Sequence, residues 1–265
     1  MTKVISNNTT KLGEIDVLLL QTWVKEAGEF ALKQHHSLIT DIKDDHSPVT
    51  NVDIRIASML VKHISQSYPN HQILSEEGSR QNNNGDILWT IDPIDGTRVY
   101  ISGLPAWGIS AGVFKHGKSH AGCFYMPAIG EMYWGVGDTG YFNGQPISPS
   151  KNTDPQDPLA FIAVPSNTHL KFEISFHRLR ALGSTAAHLA YVARGVAMAA
   201  LTRPLYIWDV AAILPLLRAA EVSLVYLTGK PFDPQELLDG SCSKEPLLAA
   251  PYEIIEFVRK MINPK

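Results

Sequence analysis

The chain has 265 residues, 45% of them hydrophobic and 18% charged, with a formal net charge of −3. That length can bury a large core, as one big domain or two subdomains sharing a cleft, and the charge balance implies no basic face for nucleic acid. The two cysteines, Cys123 and Cys242, are far apart and in no metal-type spacing, which predicts a reduced, cytoplasmic protein.

The opening "MTKVISNNTTKLGE" carries no apolar stretch of the signal-peptide kind. Residues 15–35 predict an amphipathic helix with Ile15, Leu18, Leu19, Trp23 and Ala27 on one side. The polar loop "TDIKDDHSPVT" follows, and helical period returns over 51–67 through Ile54, Ala57, Leu60, Val61 and Ile64. "HQILSEEGSR" reads as a short strand running into a polar turn, "NNNGD" as a loop tip and "ILWTID" as a strand. Residues 106–143 predict antiparallel strands with tight turns at "FKHGKSH" and "PAIGEM".

The Pro-, Ser- and Asp-rich segment 148–158 divides an α+β subdomain, 1–147, from an α/β subdomain, 148–265. In the second, "LAFIAV", "LRALG", "VAMAAL" and "VSLVYL" read as extended elements. "TAAHLAYVARG", "WDVAAILPLLRAAE" and residues 251–262 read as helices. Residues 196–217 are the most apolar stretch, but Arg203, Pro204 and Asp209 interrupt it, so no membrane span is expected.

Three motifs invite functions that their context denies. "GISAG" fits a serine-hydrolase elbow, yet no helix follows Ser110, and a hairpin strand is the plainer reading. "GVGDTG" fits a dinucleotide fingerprint, yet "YFNGQPI" after it predicts a β-hairpin. His116 and His120 are spaced like metal ligands on a helix, but Gly117 between them predicts a turn.

The acidic residues are harder to set aside. "WTIDPIDGT" ends an apolar strand with Asp92 and Asp95 and turns at Gly96-Thr97. "SEEG" sets Glu76 and Glu77 after a short strand, "SPVTNVD" sets Thr50 and Asp53 at a helix start, and "WDVAA" sets Asp209 in the first turn of another helix. Singly, each reads as a helix-terminal or solvated charge. Together they recur at element ends, where ligand clefts form in α/β layers. A cluster of Asp and Glu without His or Cys suits a hard cation, Mg²⁺ by default, and the N–H groups of Gly96 and Thr97 open a helix start that suits an anion. Cation and phosphate together point to metal-assisted phosphoryl chemistry.

"DPIDGT", the preceding "EE" pair and the distant "WDVAA" resemble the inositol monophosphatase family of Mg²⁺-dependent, lithium-sensitive phosphatases, as do "VTNVD", "YFNGQPI" and "LTGKPFD". The resemblance runs from about Glu14 to the C-terminal end. It implies a layered α-β-α-β-α sandwich of the inositol monophosphatase and fructose bisphosphatase type. It implies that Glu76, Asp92 and the Ile94 carbonyl hold a first Mg²⁺, that Asp92, Asp95 and Asp209 hold a second, and that Glu76 also serves a looser third. Gly96 and Thr97 would receive the phosphate, while Asp53 and Thr97 orient and activate the attacking water. A small phosphorylated metabolite is the implied substrate and a homodimer the implied assembly.

The substrate side departs from the pattern. Inositol-specific members carry a glutamate seven residues before the "WD" aspartate; here the residue is Thr202, followed by Arg203 and Pro204. Arg203 reads either as a contact for a second anionic group or as a surface charge. Gly183, Ser184 and Thr185 in "LGSTAAH" remain substrate candidates. The stretch between "NGQPI" and "LGSTA" is short, and "AEV" at Ala220–Val222 replaces the usual "AGG". Histidinol phosphate, fructose 1,6-bisphosphate and 3′-phosphoadenosine 5′-phosphate stay open beside inositol phosphate. Outside the enzymes, a metal- or phosphate-binding regulator would be favoured by loss of a ligand or of Thr97, and neither is lost.

Overall fold

The computed structural model describes residues 11–12, 15–78, 80–81, 83, 85–149 and 153–265, so the loop tip at 82–86 and the boundary at 148–158 lie partly outside the described residues. Asp16 sets where the first long helix begins. Its Oδ1 accepts the N–H groups of Leu18 and Leu19 at 3.0 and 3.3 Å, and α1 runs Val17–Gln34. The buried stripe is then Val17, Leu20, Trp23, Val24, Ala27 and Ala31. Leu18 and Leu19, expected on that face, are 52% and 40% exposed, because the stripe passes through i, i+3 and i+7 from Val17 and leaves them outside it. Helix α2, Asn51–Ser67, buries Val52, Ile56, Ala57, Leu60 and Ile64, while Ile54 is 58% exposed for the same geometric reason.

Both helices pack on one face of an eight-stranded sheet. Its order is Gln145–Pro146, Thr139–Phe142, Glu131–Val136, Lys118–Met126, Gly108–Lys115, Ile87–Asp95, Gln72–Ser75 and Arg80–Gln81. Within this sheet, among the described residues, only the pairing of Gln72–Ser75 with Ile87–Asp95 is parallel. Alternation along the strands sends Trp89, Ile109, Val113 and Cys123 to the α1–α2 face. Phe114, Phe124, Met126 and Tyr133 go to the other face, against α5 (Thr185–Ala193) and α6 (Leu214–Ala219).

A second sheet, ordered Leu179–Arg180, Ile162–Ala163, Ala199–Leu201, Leu247–Pro251 and Val222–Tyr226, packs Ala163, Ala200, Leu247 and Ala249 into the same core cluster as α5 and α6. Its far face, with Ile162, Ala199, Leu201 and Leu248, meets Ile255 and Val258 of α7 (Ile255–Lys260). The layers are therefore α-β-α-β-α, as expected.

Two predicted helices are shorter than the sequence suggests. "WDVAAILPLLRAAE" is a 3₁₀ turn at Ile207–Asp209, then irregular turns, then α6. Pro215 has no N–H to donate and sits in the first turn of α6, where that loss costs nothing. The C-terminal helix is confined to α7, because Pro251 ends a strand and Ile262–Pro264 forms another with Phe172–Ile174.

The glycines of the misleading motifs have a structural use. Gly112, Gly122, Gly135 and Gly140 pair in register across four adjacent strands. A Cβ on Gly122 would lie 2.2 Å from the Ala212 carbonyl oxygen, and one on Gly112 would lie 2.4 Å from Ala211 Cβ. One on Gly135 would lie 2.8 Å from Pro215 Cβ. This row is a trough in the sheet, and the segment just after Asp209 lies in it. Ser110 sits mid-strand opposite Asp92, its hydroxyl 3.3 Å from the Trp208 carbonyl, with no helix after it. "GVGDTG" is a hairpin with Val136 paired to Thr139, and His116 occupies a turn at φ 49°.

Candidate active site

The strand Ile87–Asp95 carries two carboxylates to its end. Asp92 is 2% and Asp95 6% exposed. Gly96 follows at φ 94°, a left-handed conformation that glycine adopts without penalty, and turns the chain into α3, Thr97–Ile101. Asp209 arrives from the segment in the glycine trough, and its Oδ2 accepts the Tyr206 N–H at 2.9 Å. One carboxylate oxygen from each of Asp92, Asp95 and Asp209 lies within 4.8 Å of the others.

Three carboxylates this close disfavour their own ionisation. Burial, then the charges of Glu76, Asp95 and Asp209, raises Asp92 well above the usual carboxylate range. Burial, then Asp95 and Glu76, pushes Asp209 up to about 8. Asp95 rises to about 6 through burial, although hydrogen bonds hold it back. Those bonds come from the start of α5. The Ser184 hydroxyl and the Ala186 N–H, the latter at 2.7 Å, donate to Oδ2, and the Thr185 N–H reaches Oδ1 at 3.2 Å. Asp92 is braced less fully: its Oδ1 is buried and, among the described residues, has no hydrogen-bond partner. A buried, unpaired carboxylate oxygen facing two further carboxylates is a seat for a cation.

Beside this cluster, Asp53 completes the cap of α2. The Thr50 hydroxyl and the Thr50 N–H, the latter at 2.9 Å, donate to Asp53 Oδ2. Its Oδ1 accepts from Thr97 Oγ1 at 3.3 Å, and that hydroxyl is also 3.0 Å from the Ile94 carbonyl. Burial raises the Asp53 pKa, against the pull of the Thr50 bonds.

Asp92, Asp95, Gly96, Thr97 and Asp209 line a cleft of about 660 Å³ together with Glu76, Gly183, Thr202, Arg203 and Tyr206, while Asp53 is buried behind Thr97 and does not line it. The remaining expected residues divide. Glu76 lies in the cleft, but its Oε1 is 2.8 Å from Lys43 Nζ, which is also 2.7 Å from Glu77. Ser184 is fully buried with its hydroxyl turned to Asp95, and also accepts the Ala187 N–H at 3.0 Å. Thr202 is 2% exposed; its hydroxyl donates to the Arg203 carbonyl at 2.6 Å and accepts the Leu247 N–H at 3.0 Å. Ser184 and Thr202 therefore brace the site from within and do not present free hydroxyls to a substrate.

Three residues escaped the sequence reading. Lys43 is one lysine in a polar loop and carries no signal. Lys171, at the end of the short helix α4 (Thr168–Lys171), lines the cleft from a segment with no clear periodicity. His188, buried, accepts the Leu182 N–H at 3.0 Å on Nε2 and so fixes the turn at Gly183. Burial pushes its pKa down to about 4.

A sequence profile of the inositol monophosphatase family matches residues 16–256. The chain belongs to that family. Among relatives of the inositol monophosphatases, it is 32% identical to the fructose-1,6-bisphosphatase/inositol-1-monophosphatase of Thermotoga maritima over 69% of this chain and 72% of the other. It is 30% identical to the inositol-1-monophosphatase of Bacillus subtilis over 85% and 89%. The solved structure of a Thermotoga maritima IMPase superposes with a TM-score of 0.80 at 24% identity, covering 92% of this chain and 95% of that one. The fold is thus the family's fold, and the chain is a phosphatase of small phosphorylated metabolites that depends on a divalent metal. Among the described residues, no helix is long and apolar enough to cross a membrane.

Proposed function

We propose that the chain is a Mg²⁺-dependent phosphomonoesterase of the inositol monophosphatase type, with two or three ions held by Glu76, Asp92, the Ile94 carbonyl, Asp95 and Asp209. The orphaned Asp92 Oδ1, inside a set of three converging carboxylates, carries the reading. The donors are all oxygen, which suits Mg²⁺ over softer metals. When bound, Mg²⁺ supplies Lewis-acid polarisation of the phosphate ester and acidifies water.

The chain's own residues do the remaining work. The N–H groups at the start of α3, from Gly96 and Thr97, have no carbonyl one helical turn back and receive phosphate oxygens. Thr97 Oγ1, fixed between the Ile94 carbonyl and Asp53, orients the attacking water. Asp53, with its raised pKa, accepts the water's proton through Thr97. Gly183 and Thr185 line the substrate side, and Ser184 keeps Asp95 aimed. The two free cysteines support a cytoplasmic setting. A homodimer is proposed on the family resemblance.

The test is phosphate release from inositol 1-phosphate, histidinol phosphate, fructose 1,6-bisphosphate and 3′-phosphoadenosine 5′-phosphate, each with Mg²⁺ and with EDTA. EDTA-sensitive turnover is expected. Silence with Mg²⁺ across the panel would favour a binding protein without turnover.

A further inference from the structure

The buried residues of α5 are alanine, leucine and valine, with one polar exception, His188, which is 3% exposed. A leucine would fill that position without the cost of burying an imidazole. His188 Nε2 accepts the Leu182 N–H at 3.0 Å, which requires a neutral ring with its proton on Nδ1. Burial favours that neutral form and holds the pKa down at about 4. Helical side chains lean toward the N-terminal end, so the fourth residue of α5 can reach back past the cap at Ser184.

The turn it holds joins a sheet edge to α5. Parallel pairing with Ile162–Ala163 carries the chain as far as Arg180, whose carbonyl accepts the Val164 N–H at 2.9 Å. The next N–H on that side of the strand is that of Leu182, and it leaves the sheet for His188. Among the described residues, no other hydrogen bond holds residues 181–183. The turn presses on the segment that follows Asp95. Gly183, at φ 95°, stands so close to Val99 that a Cβ there would lie 2.1 Å from Val99 Cγ2. Gly96, at φ 94°, stands likewise against Ser184, whose Cβ would lie 3.2 Å from a Cβ on Gly96. Two left-handed glycines thus bring two stretches of main chain together, and both glycines line the cleft.

We propose that His188 is a positioning residue for the phosphate: it holds the turn at Leu182–Ser184 against Gly96 and Val99, and so fixes the wall of the cleft where the phosphate is received. This rests on the phosphatase reading above and adds to it a residue that acts through the backbone. The plainer role, a buried histidine satisfied within its own helix, would contribute to folding alone. The two roles differ in what loss of the acceptor does. Without it the Leu182 N–H has no partner, the turn is free to move off Val99, and Gly96 loses the surface it packs on. Phosphate is then held less tightly, because a binding wall loosened by a fraction of an ångström no longer matches its ligand. The metal side is spared, since Asp95 keeps its donors at Ser184, Thr185 and Ala186.

The experiment uses the intact protein with Mg²⁺, as wild type, His188→Leu, His188→Gln and Val99→Ala, with inorganic phosphate as the probe. Leucine fills the space without an acceptor, and the glutamine Oε1 supplies one. Calorimetry reads phosphate affinity, turnover of the ester that the wild type hydrolyses reads KM, kcat and the Mg²⁺ requirement, and urea unfolding in EDTA reads stability. His188→Leu should bind phosphate about tenfold more weakly and raise KM by a similar factor, with smaller changes in kcat and in the Mg²⁺ requirement. His188→Gln should recover most of the loss. Val99→Ala, a milder change, loosens the same contact from the other side and should weaken phosphate binding in the same direction. A leucine variant that is less stable yet binds phosphate as the wild type does overturns the proposal and leaves His188 a residue of the fold. Equal losses in the leucine and glutamine variants overturn it too, by assigning the effect to ring shape. So does normal phosphate binding in Val99→Ala, whether or not His188→Leu folds. A wild type that neither binds phosphate nor turns over any ester would overturn the phosphatase reading and this one with it.

Discussion

The backbone N–H of Ala186 donates to Asp95 Oδ2 at 2.7 Å, across 91 residues of sequence. Through this contact the end of one sheet strand and the start of α5 hold a single carboxylate in place. Ser184 completes the arrangement, as cap of α5 and as donor to Asp95. Ser184→Ala should cost about 1–2 kcal/mol of stability, the worth of a helix cap and a buried charge-assisted bond. It should also weaken Mg²⁺ binding by about tenfold or more, as loss of an orienting partner does. Urea unfolding in EDTA reads the first effect and a Mg²⁺ titration of activity the second. A variant with lowered stability but unchanged Mg²⁺ affinity would show that Ser184 is a cap and nothing else.

Asp92 carries the opposite tension, being buried with one oxygen unpartnered among the described residues. Asp92→Asn removes a charge that the metal-free fold tolerates poorly. Activity should fall by more than about a hundredfold, beyond the loss typical of outer partners. The metal-free variant should nonetheless melt at a higher temperature than the metal-free wild type, because one of three mutually repelling groups is gone. A variant that is both inactive and less stable in EDTA would mean that the asparagine disturbs packing more than it relieves repulsion.

Stability without metal should depend on pH in a direction unusual for carboxylates. Asp209 is pushed up to about 8 and Asp95 to about 6, both chiefly by burial. An unfolded aspartate releases its proton near 3.9, so between that value and the folded ones the native state holds protons that the unfolded chain has lost. Raising the pH through this window therefore lowers stability, with the Asp95 part lost through about 6 and the Asp209 part through about 8. His188 works in reverse. Held neutral down to about 4, it costs stability only as the pH falls below its ordinary 6.5. Thermal melts in EDTA from pH 6.5 to 9 isolate the carboxylates. The melting temperature should fall with pH, and the gain on adding Mg²⁺ should grow. A flat EDTA curve with a constant Mg²⁺ gain would mean that these carboxylates ionise freely.

Gly122→Ala tests the seat of Asp209. The added methyl would meet the Ala212 carbonyl oxygen, which is backbone and cannot rotate away. A destabilisation of about 1–3 kcal/mol is expected, as for overpacking elsewhere. The Mg²⁺ requirement should rise as well, because the strained segment carries Asp209. Unchanged Mg²⁺ dependence in a destabilised protein would separate the seat from the site.

Much of this was legible in the sequence, for physical reasons. Asp92, Asp95 and Gly96 sit where an apolar run stops, and a buried strand that ends in carboxylates has few explanations. The run of "VFKHGK" into a turn after Ser110 announced a hairpin strand and denied a nucleophile elbow. The faces of α1 and α2 were less legible. Leu18, Leu19 and Ile54 are apolar yet exposed, and only the cap at Asp16 and the box at Thr50 and Asp53 set the phase. The break before Pro215 was hidden because an apolar run reads as one helix whether or not its hydrogen bonds are continuous. Lys43, Lys171 and the buried hydroxyls of Ser184 and Thr202 take their meaning from contacts distant in sequence, which periodicity does not report.

The glycine trough also sets how the centre can come apart. Four glycines in register leave the sheet no side chains of its own along that line, so the main chain after Asp209 supplies the packing there. Asp209 cannot swing away as a loop residue would, because its departure requires lifting that segment off the sheet. Lys43, by contrast, belongs to a short exposed turn and can release Glu76 by a small local motion. Hydrogen exchange should therefore show two opening events at one centre: a rapid, shallow one around Lys43, and one at Val210–Ile213 that occurs only when the whole fold opens.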